Sequence, residues 1–250
     1  MKINHLTTIF LIAAVVAAAS GCLSEKPKDT KPVEITFSAA VSLQDALKEI
    51  GAQFQKNHPE IKVNFNFGAS GVLEKQIEQD ASVDLFASAS QKEIDLLEEK
   101  GLIIRLTRTN FTRNKLVIIA PSRLTIEELK NLDKIAIGDP KTVPAGRYAQ
   151  TFMENAGIYE MTKPKLIFAE NVRQVLDYVE RGEVDAGFVY FSDTIKSNMS
   201  VSSINDSLYP PIVYPVAVIN DSQQPAISRQ FIEYLQSNEG QTILKKYGFG

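Results

Sequence analysis

The sequence predicts an α/β protein of two lobes, each a mostly parallel sheet flanked by helices, with a ligand cleft between the lobes. Three observations carry this. Beyond residue 32, short β-rich apolar runs alternate with runs of helical period along the whole chain. Small polar residues mark the points where strand gives way to helix. A chain of 250 residues, 44% hydrophobic and 23% charged, has globular composition and enough length to build two cores.

The first residues form an address rather than part of the fold. Met1-Lys2 precedes a polar stretch, an apolar run from Ile9 to Ala19, and then Ala19-Ser20-Gly21-Cys22. The apolar run is far short of the ~20 residues that span a bilayer, and small residues precede the cysteine where cleavage would occur. Residues 1–21 are therefore expected to be a signal peptide. The pattern resembles a lipobox with Cys22 as the lipidated first residue; a plain signal peptide with an incidental cysteine is the other reading. Residues 22–32, rich in Lys and Pro, cannot bury enough apolar surface to fold and are expected to form a flexible tether.

The folded part opens with a strand at Val33 to Ala39. Leu43, Ala46, Leu47, Ile50 and Phe54 follow at helical spacing, and the helix stops near Asn57-His58-Pro59. Ile61, Val63, Phe65 and Phe67 then alternate as a strand does. Gly68-Ala69-Ser70-Gly71 opens a second helix. Leu85 to Ala87 is apolar, Gln91 to Lys100 helical, and Lys115 to Ala120 and Ile135 to Gly138 are strands. A helix runs from about Ala145 to Asn155. After Leu166 to Phe168, Val172, Val175, Leu176 and Val179 mark another helix. Ala186 to Tyr190 and Tyr214 to Ile219 are strands, and two helices close the chain. No internal repeat is visible. With crossings near Thr112 to Leu116 and Val213 to Ile219, residues 33–114 and 217–250 are expected to form the first lobe and 115–216 the second.

Much chemistry is excluded by inventory. A net charge of -3 offers no global positive field for nucleic acid. One cysteine and two histidines, His5 and His58, leave no material for thiolate or His-rich metal sites. His58 sits in a helix-ending turn, so a Ser-His-Asp arrangement lacks a placed base. Glu98-Glu99 and Glu127-Glu128 are adjacent in helical stretches and do not face each other. No phosphate-cradling GxxxxGK[ST] or GxGxxG motif is present.

What remains is a set of strand-to-helix turns: Ala39-Ala40-Val41-Ser42, Gly68-Ala69-Ser70-Gly71, Val143-Pro144-Ala145-Gly146 and Glu170-Asn171-Val172. In parallel α/β lobes such turns lie at the carboxyl ends of strands, where ligands bind. Helix starts present unpaired N–H groups and about half a positive charge, so several converging on one point suit an anion. Ser42 and Ser70 are either hydroxyl donors to that anion or N-caps of their own helices.

Several segments taken together resemble the substrate-binding proteins of molybdate ABC transporters, from about Val33 to Phe249. They are Phe37-Ser38-Ala39-Ala40-Val41-Ser42-Leu43, Asp84-Leu85-Phe86-Ala87-Ser88-Ala89, Gly138-Asp139-Pro140 with Val143-Pro144-Ala145-Gly146-Arg147-Tyr148-Ala149, Glu170-Asn171-Val172-Arg173, Val189-Tyr190, Tyr214-Pro215-Val216-Ala217 and Lys246-Tyr247-Gly248-Phe249. The resemblance implies the type II two-lobed periplasmic-binding-protein fold. It implies a tetrahedral oxyanion, molybdate or tungstate, held by the hydroxyls of Ser42, Ser70 and Tyr190 and the backbone N–H groups of Ala145 and Val172. On the residues alone Tyr190 reads as a core aromatic at a strand end, and the resemblance reverses that reading. The resemblance further implies no cofactor, no direct metal ligand and no enzymatic activity. The expected partners are an ABC permease and its ATPase subunit, with the protein monomeric and lipid-anchored on the outer face of the membrane. Arg147 is expected at the surface, since such sites use neutral donors. Sulfate or another tetrahedral oxyanion is the neighbouring reading, and an exported hydrolase or a structural surface protein the reading from other classes.

Overall fold

The computed structural model describes residues 31–250. The expected signal peptide, Cys22 and nearly all of the expected tether lie outside the described residues; Lys31 and Pro32 are exposed and precede the first strand. Among the described residues no helix is long and apolar enough to cross a membrane.

Ten strands build two five-stranded sheets. They are β1 (Val33–Ala40), β2 (Ile61–Gly68), β3 (Leu85–Ala87), β4 (Thr109–Asn114), β5 (Leu116–Ala120), β6 (Ile135–Gly138), β7 (Leu166–Ala169), β8 (Ala186–Tyr190), β9 (Ser200–Ser203) and β10 (Ile212–Val218). One sheet has the order β2-β1-β3-β10-β4 and the other β7-β6-β8-β5-β9. Each is mixed rather than uniformly parallel. β10 pairs antiparallel with β3 and β4, and β5 antiparallel with β8 and β9, so one strand of five is reversed in each.

The two orders are the same pattern. The reversed strand of each sheet is the segment that follows the last strand of the other, so the lobes repeat one topology with a strand exchanged. The sequence shows no repeat because what is repeated is pairing order, which many unrelated side chains satisfy.

The chain leaves the first sheet between Asn114 and Leu116, where the crossing is expected. The return differs from expectation. β10 is hydrogen-bonded in the first sheet from Ile212 onward, so the boundary at 216/217 falls inside a strand, and the crossing lies between Ser203 and Ile212. Ile212 pairs with Asn114, which sets the two crossings side by side.

Helices cover the sheets: α1 (Gln44–Asn57), α2 (Ser70–Glu78), α3 (Gln91–Glu99), α4 (Pro144–Asn155), the single turn α5 (Tyr159–Thr162), α6 (Val172–Glu180), α7 (Pro225–Gln236) and α8 (Asn238–Lys246). The apolar stripe of α1, Ala46, Leu47, Ile50 and Phe54, is buried. Phe54 and Phe37 both meet Phe231 of α7 edge-on, at 4.9 and 5.6 Å between ring centres. That cluster ties the C-terminal helices to the first sheet.

In the second lobe Gly146 permits the closest approach. A Cβ there would lie 1.8 Å from the Gly138 carbonyl oxygen, so the first turn of α4 packs directly on the end of β6 only because position 146 is glycine. This fixes the height of Ala145, one residue earlier, above the sheet.

A candidate anion site between the lobes

Four helix starts converge on one small cavity, and Ser42, Ser70, Ala145, Val172 and Tyr190 all line it. They follow equivalent strands in the repeated topology. Ser42 comes after β1 and Ala145 after β6; Ser70 comes after β2 and Val172 after β7; Tyr190 ends β8. None of the five is more than 3% exposed, so a ligand reaches the cavity only if the lobes part.

The donor inventory follows from which first-turn N–H groups are already used. In α6, the Asn171 carboxamide accepts from the N–H of Arg173 and Gln174 at 3.0 and 3.1 Å, leaving the Val172 N–H at the helix start. In α4, Pro144 has no N–H, and those of Gly146 and Arg147 bond to the Val143 carbonyl, leaving that of Ala145.

The serines are not caps. Neither the turn holding Ser42 nor α2 has a side-chain cap bond, and Ser70 is the first residue of α2, after Ala69 at the cap position. Ser42 Oγ instead lies 2.9 Å from the Tyr214 hydroxyl, and Ser70 Oγ accepts from the Ala89 N–H at 3.0 Å. The Tyr190 hydroxyl is buried and has no hydrogen-bond partner among the described residues. Burial and the neighbouring Tyr214 push its pKa well above the ordinary tyrosine value, so it keeps its proton.

Arg147 departs from the expected surface position. Its guanidinium crosses to the first lobe, donating to Ser90 Oγ at 3.2 Å and to the carboxylate of buried Glu93. Ser88 and Ser90 hydroxyls also donate to Glu93, at 3.0 and 2.5 Å. On the other flank Arg173 reaches Asp45 of the first lobe at 2.9 Å, joined there by Lys196 at 2.8 Å. Arg173 Nε also faces buried Asp193 at 2.8 Å. Burial raises Asp193 to about 6 against the opposing effect of Arg173 and the Tyr190 N–H. Each arginine charge is matched by a carboxylate, so the cavity between these flanking pairs is lined by neutral donors.

Among the described residues one backbone bond crosses the seam, the Gly71 N–H donating to the Thr142 carbonyl at 3.0 Å. These interlobe contacts were not legible in the sequence. Arg173 and Asp193 stand one and three residues beyond expected donors, a signal that charge sits near the site, but their pairing with each other and that of Arg173 with Asp45, 128 residues away, follow no local pattern.

Other candidates lie elsewhere. His58 contacts Gln230 at 3.2 Å and Glu60 at 3.5 Å and does not line the cavity. Glu98 is held by Arg105 and Arg108, and Glu128 by the hydroxyl and N–H of Thr125. Asp139 accepts from the N–H of Lys141 within its own turn, and neither Asp139 nor Glu170 reaches the cavity. A larger concavity of about 410 Å³ carries Glu34, Asp80, Asp84 and Asp221, the wrong charge for an anion.

A model of the bacterial extracellular solute-binding protein family matches residues 35–250. The chain belongs to that family. It is 37% identical to a Bacillus subtilis protein named as an ABC transporter substrate-binding lipoprotein, covering 99% of this chain and 96% of that one. It is 34% identical to the Haemophilus influenzae molybdate-binding protein ModA, covering 99% and 98%. The periplasmic molybdate-binding protein of Azotobacter vinelandii shares the fold at a TM-score of 0.79 over 86% of this chain and 98% of that one, at 21% identity. The two-lobed architecture of this solute-binding protein is thus that of periplasmic binding proteins, and its family role is capture of a solute for an ABC transporter.

Proposed function

We propose that the protein captures molybdate, and tungstate by the same chemistry, and delivers it to an ABC permease driven by its ATPase subunit. The observation that carries this reading is the buried, unpartnered Tyr190 hydroxyl in a cavity whose other polar groups are donors. A buried hydroxyl without an acceptor is costly, and a fully deprotonated oxyanion supplies one. Each bond from a neutral donor to a charged oxygen contributes roughly 1.5–3 kcal/mol, and several together offset the desolvation of a dianion. No residue lining the cavity carries a charge, which suits binding and closure; action as a monomer, without a cofactor or a directly bound metal, is part of the same proposal. Similarity to proteins named for molybdate supports the choice of ligand.

Calorimetry with molybdate, tungstate, sulfate and phosphate tests the reading. Molybdate and tungstate should bind tightly and phosphate poorly, because its proton finds no acceptor. Sulfate has the same charge and shape but is smaller; tighter binding of sulfate than molybdate would reassign the solute. Ligand at a thousandfold excess over Kd adds about 4 kcal/mol to stability, so the melting temperature should rise several degrees. Tyr190→Phe should weaken molybdate roughly 10- to 150-fold. Unchanged affinity would return Tyr190 to the role of a core aromatic.

Export and anchoring through Cys22 complete the proposal, resting on the apolar run that ends in Ala-Ser-Gly-Cys. The Cys22→Ser protein should leave the membrane fraction; if it sediments with membranes as firmly as the parent, the lipid tether is excluded.

A further inference from the structure

We propose that Tyr214, itself held by Asn114, fixes the direction of the Ser42 hydroxyl so that the site discriminates against protonated anions. The inference rests on the oxyanion reading of the site and concerns residues outside the cavity lining.

The direction follows from which groups can only donate. The backbone N–H groups of Lys115 and Ser192 point at Asn114 Oδ1, at 2.9 and 3.4 Å. Backbone N–H groups never accept, so the oxygen of this carboxamide faces them and its nitrogen faces the other way. That nitrogen donates to Ser192 Oγ at 2.8 Å and to the Tyr214 hydroxyl oxygen at 3.3 Å. Tyr214 is fully buried, and burial keeps it protonated. Of its two polar neighbours, Asn114 Nδ2 cannot accept, so the Tyr214 proton goes to Ser42 Oγ at 2.9 Å. The Ser42 proton is then free for the cavity.

Ser70 reaches the same state by another route. Its oxygen accepts from the Ala89 N–H, which can only donate, and its proton is likewise free. A serine is ordinarily ambivalent, able to turn an acceptor toward whatever arrives. Here, turning Ser42 inward to donate to Tyr214 would strand the tyrosine proton in a buried place with no acceptor. Tyr214 and Asn114 are therefore positioning residues, and they act on the polarity of the site rather than on its shape.

Asn114 also ends β4 at the crossing between lobes, and Ser192 belongs to the second lobe. The group that sets the polarity of a first-lobe donor is thus anchored across the hinge.

The test measures binding of molybdate, sulfate and phosphate at pH 8 to the intact exported domain. Sulfate and hydrogen phosphate are then both dianions of similar size that differ by one proton, so their ratio isolates polarity from charge and packing. Tyr214→Phe should release Ser42 to accept, and the preference for sulfate over phosphate should narrow by roughly 5- to 100-fold. Asn114→Asp keeps the shape but takes the Tyr214 proton, turning the Ser42 proton inward; molybdate and sulfate should weaken more than phosphate. Melting curves of the ligand-free variants establish that each folds, and Asn114→Asp decides if Tyr214→Phe does not. A folded variant that weakens all three anions by the same factor makes Tyr214 a packing residue and overturns the inference alone. A parent protein that binds no tetrahedral dianion overturns the oxyanion reading, and the inference with it.

Discussion

Ser42→Asp should abolish measurable molybdate binding, with affinity falling by at least about a thousandfold. The carboxylate would stand where a hydroxyl donates to a dianion. Two unit charges about 4 Å apart at an effective dielectric near 20 repel by about 4 kcal/mol, and a dianion doubles this. The fold should survive, because the Tyr214 hydroxyl 2.9 Å away can donate to the new carboxylate. Ser42→Ala is the milder companion, losing one charge-assisted bond and roughly 10- to 150-fold in affinity. Titration calorimetry on both variants, with melting curves as control, checks the pair. Parental affinity in Ser42→Asp would place the anion somewhere other than against Ser42.

A Cβ at position 71 should hold the lobes apart. In the closed arrangement it would lie 2.7 Å from the Thr142 carbonyl oxygen and 3.0 Å from Thr142 Cα, both backbone atoms that cannot swing away. Overpacking by one carbon costs roughly 1–3 kcal/mol, so Gly71→Ala should lose about 5- to 150-fold in affinity and Gly71→Val more than about a hundredfold. The ligand-free protein should respond in the opposite sense. Gly71 lies in the first turn of α2, where alanine favours the helix by up to about 1 kcal/mol, so the melting temperature without ligand should hold or rise. Small-angle scattering should show the variant staying expanded when molybdate is added. Undiminished affinity together with full compaction would mean that the seam at Gly71–Thr142 does not limit closure.

Much of the scaffold was legible because period and punctuation are local. Leu43 to Phe54, Val172 to Val179 and the alternating Ile61 to Phe67 each announce their element, and the structure has them within one or two residues. β4 and β9 escaped because Thr109–Asn114 and Ser200–Ser203 are polar edge strands with little apolar signal, paired on one side only. The boundary at 216/217 falls inside β10 because the strand begins before Tyr214, at Ile212 directly after Pro210-Pro211, and the lobe a strand joins is set by pairing partners that no local pattern names.

At the site, the turns that carry Ser42, Ser70, Ala145 and Val172 are legible as pattern, whereas the choice of these donors and the inclusion of Tyr190 come only from the family resemblance. Arg147 shows the limit. Its position two residues beyond buried Ala145 on an amphipathic helix says surface, whereas its partner Glu93, 2% exposed, comes from α3 of the other lobe. Polar pairings across a cleft have no period, so only the folded chain reveals them.

Ala145 and Val172 offer the cavity main-chain hydrogens, and this gives the site an unequal exposure to mutation. Any substitution at either position, proline apart, leaves the N–H where the helix start puts it. Variation there changes volume but leaves the N–H in place, so a sequence can drift at 145 and 172 and keep both donors. The hydroxyls of Ser42, Ser70 and Tyr190 have no such insurance, since replacement by alanine or phenylalanine erases each outright. Purifying selection on ligand capture should therefore be read at three side chains, while the other two contacts are inherited with the path of the backbone.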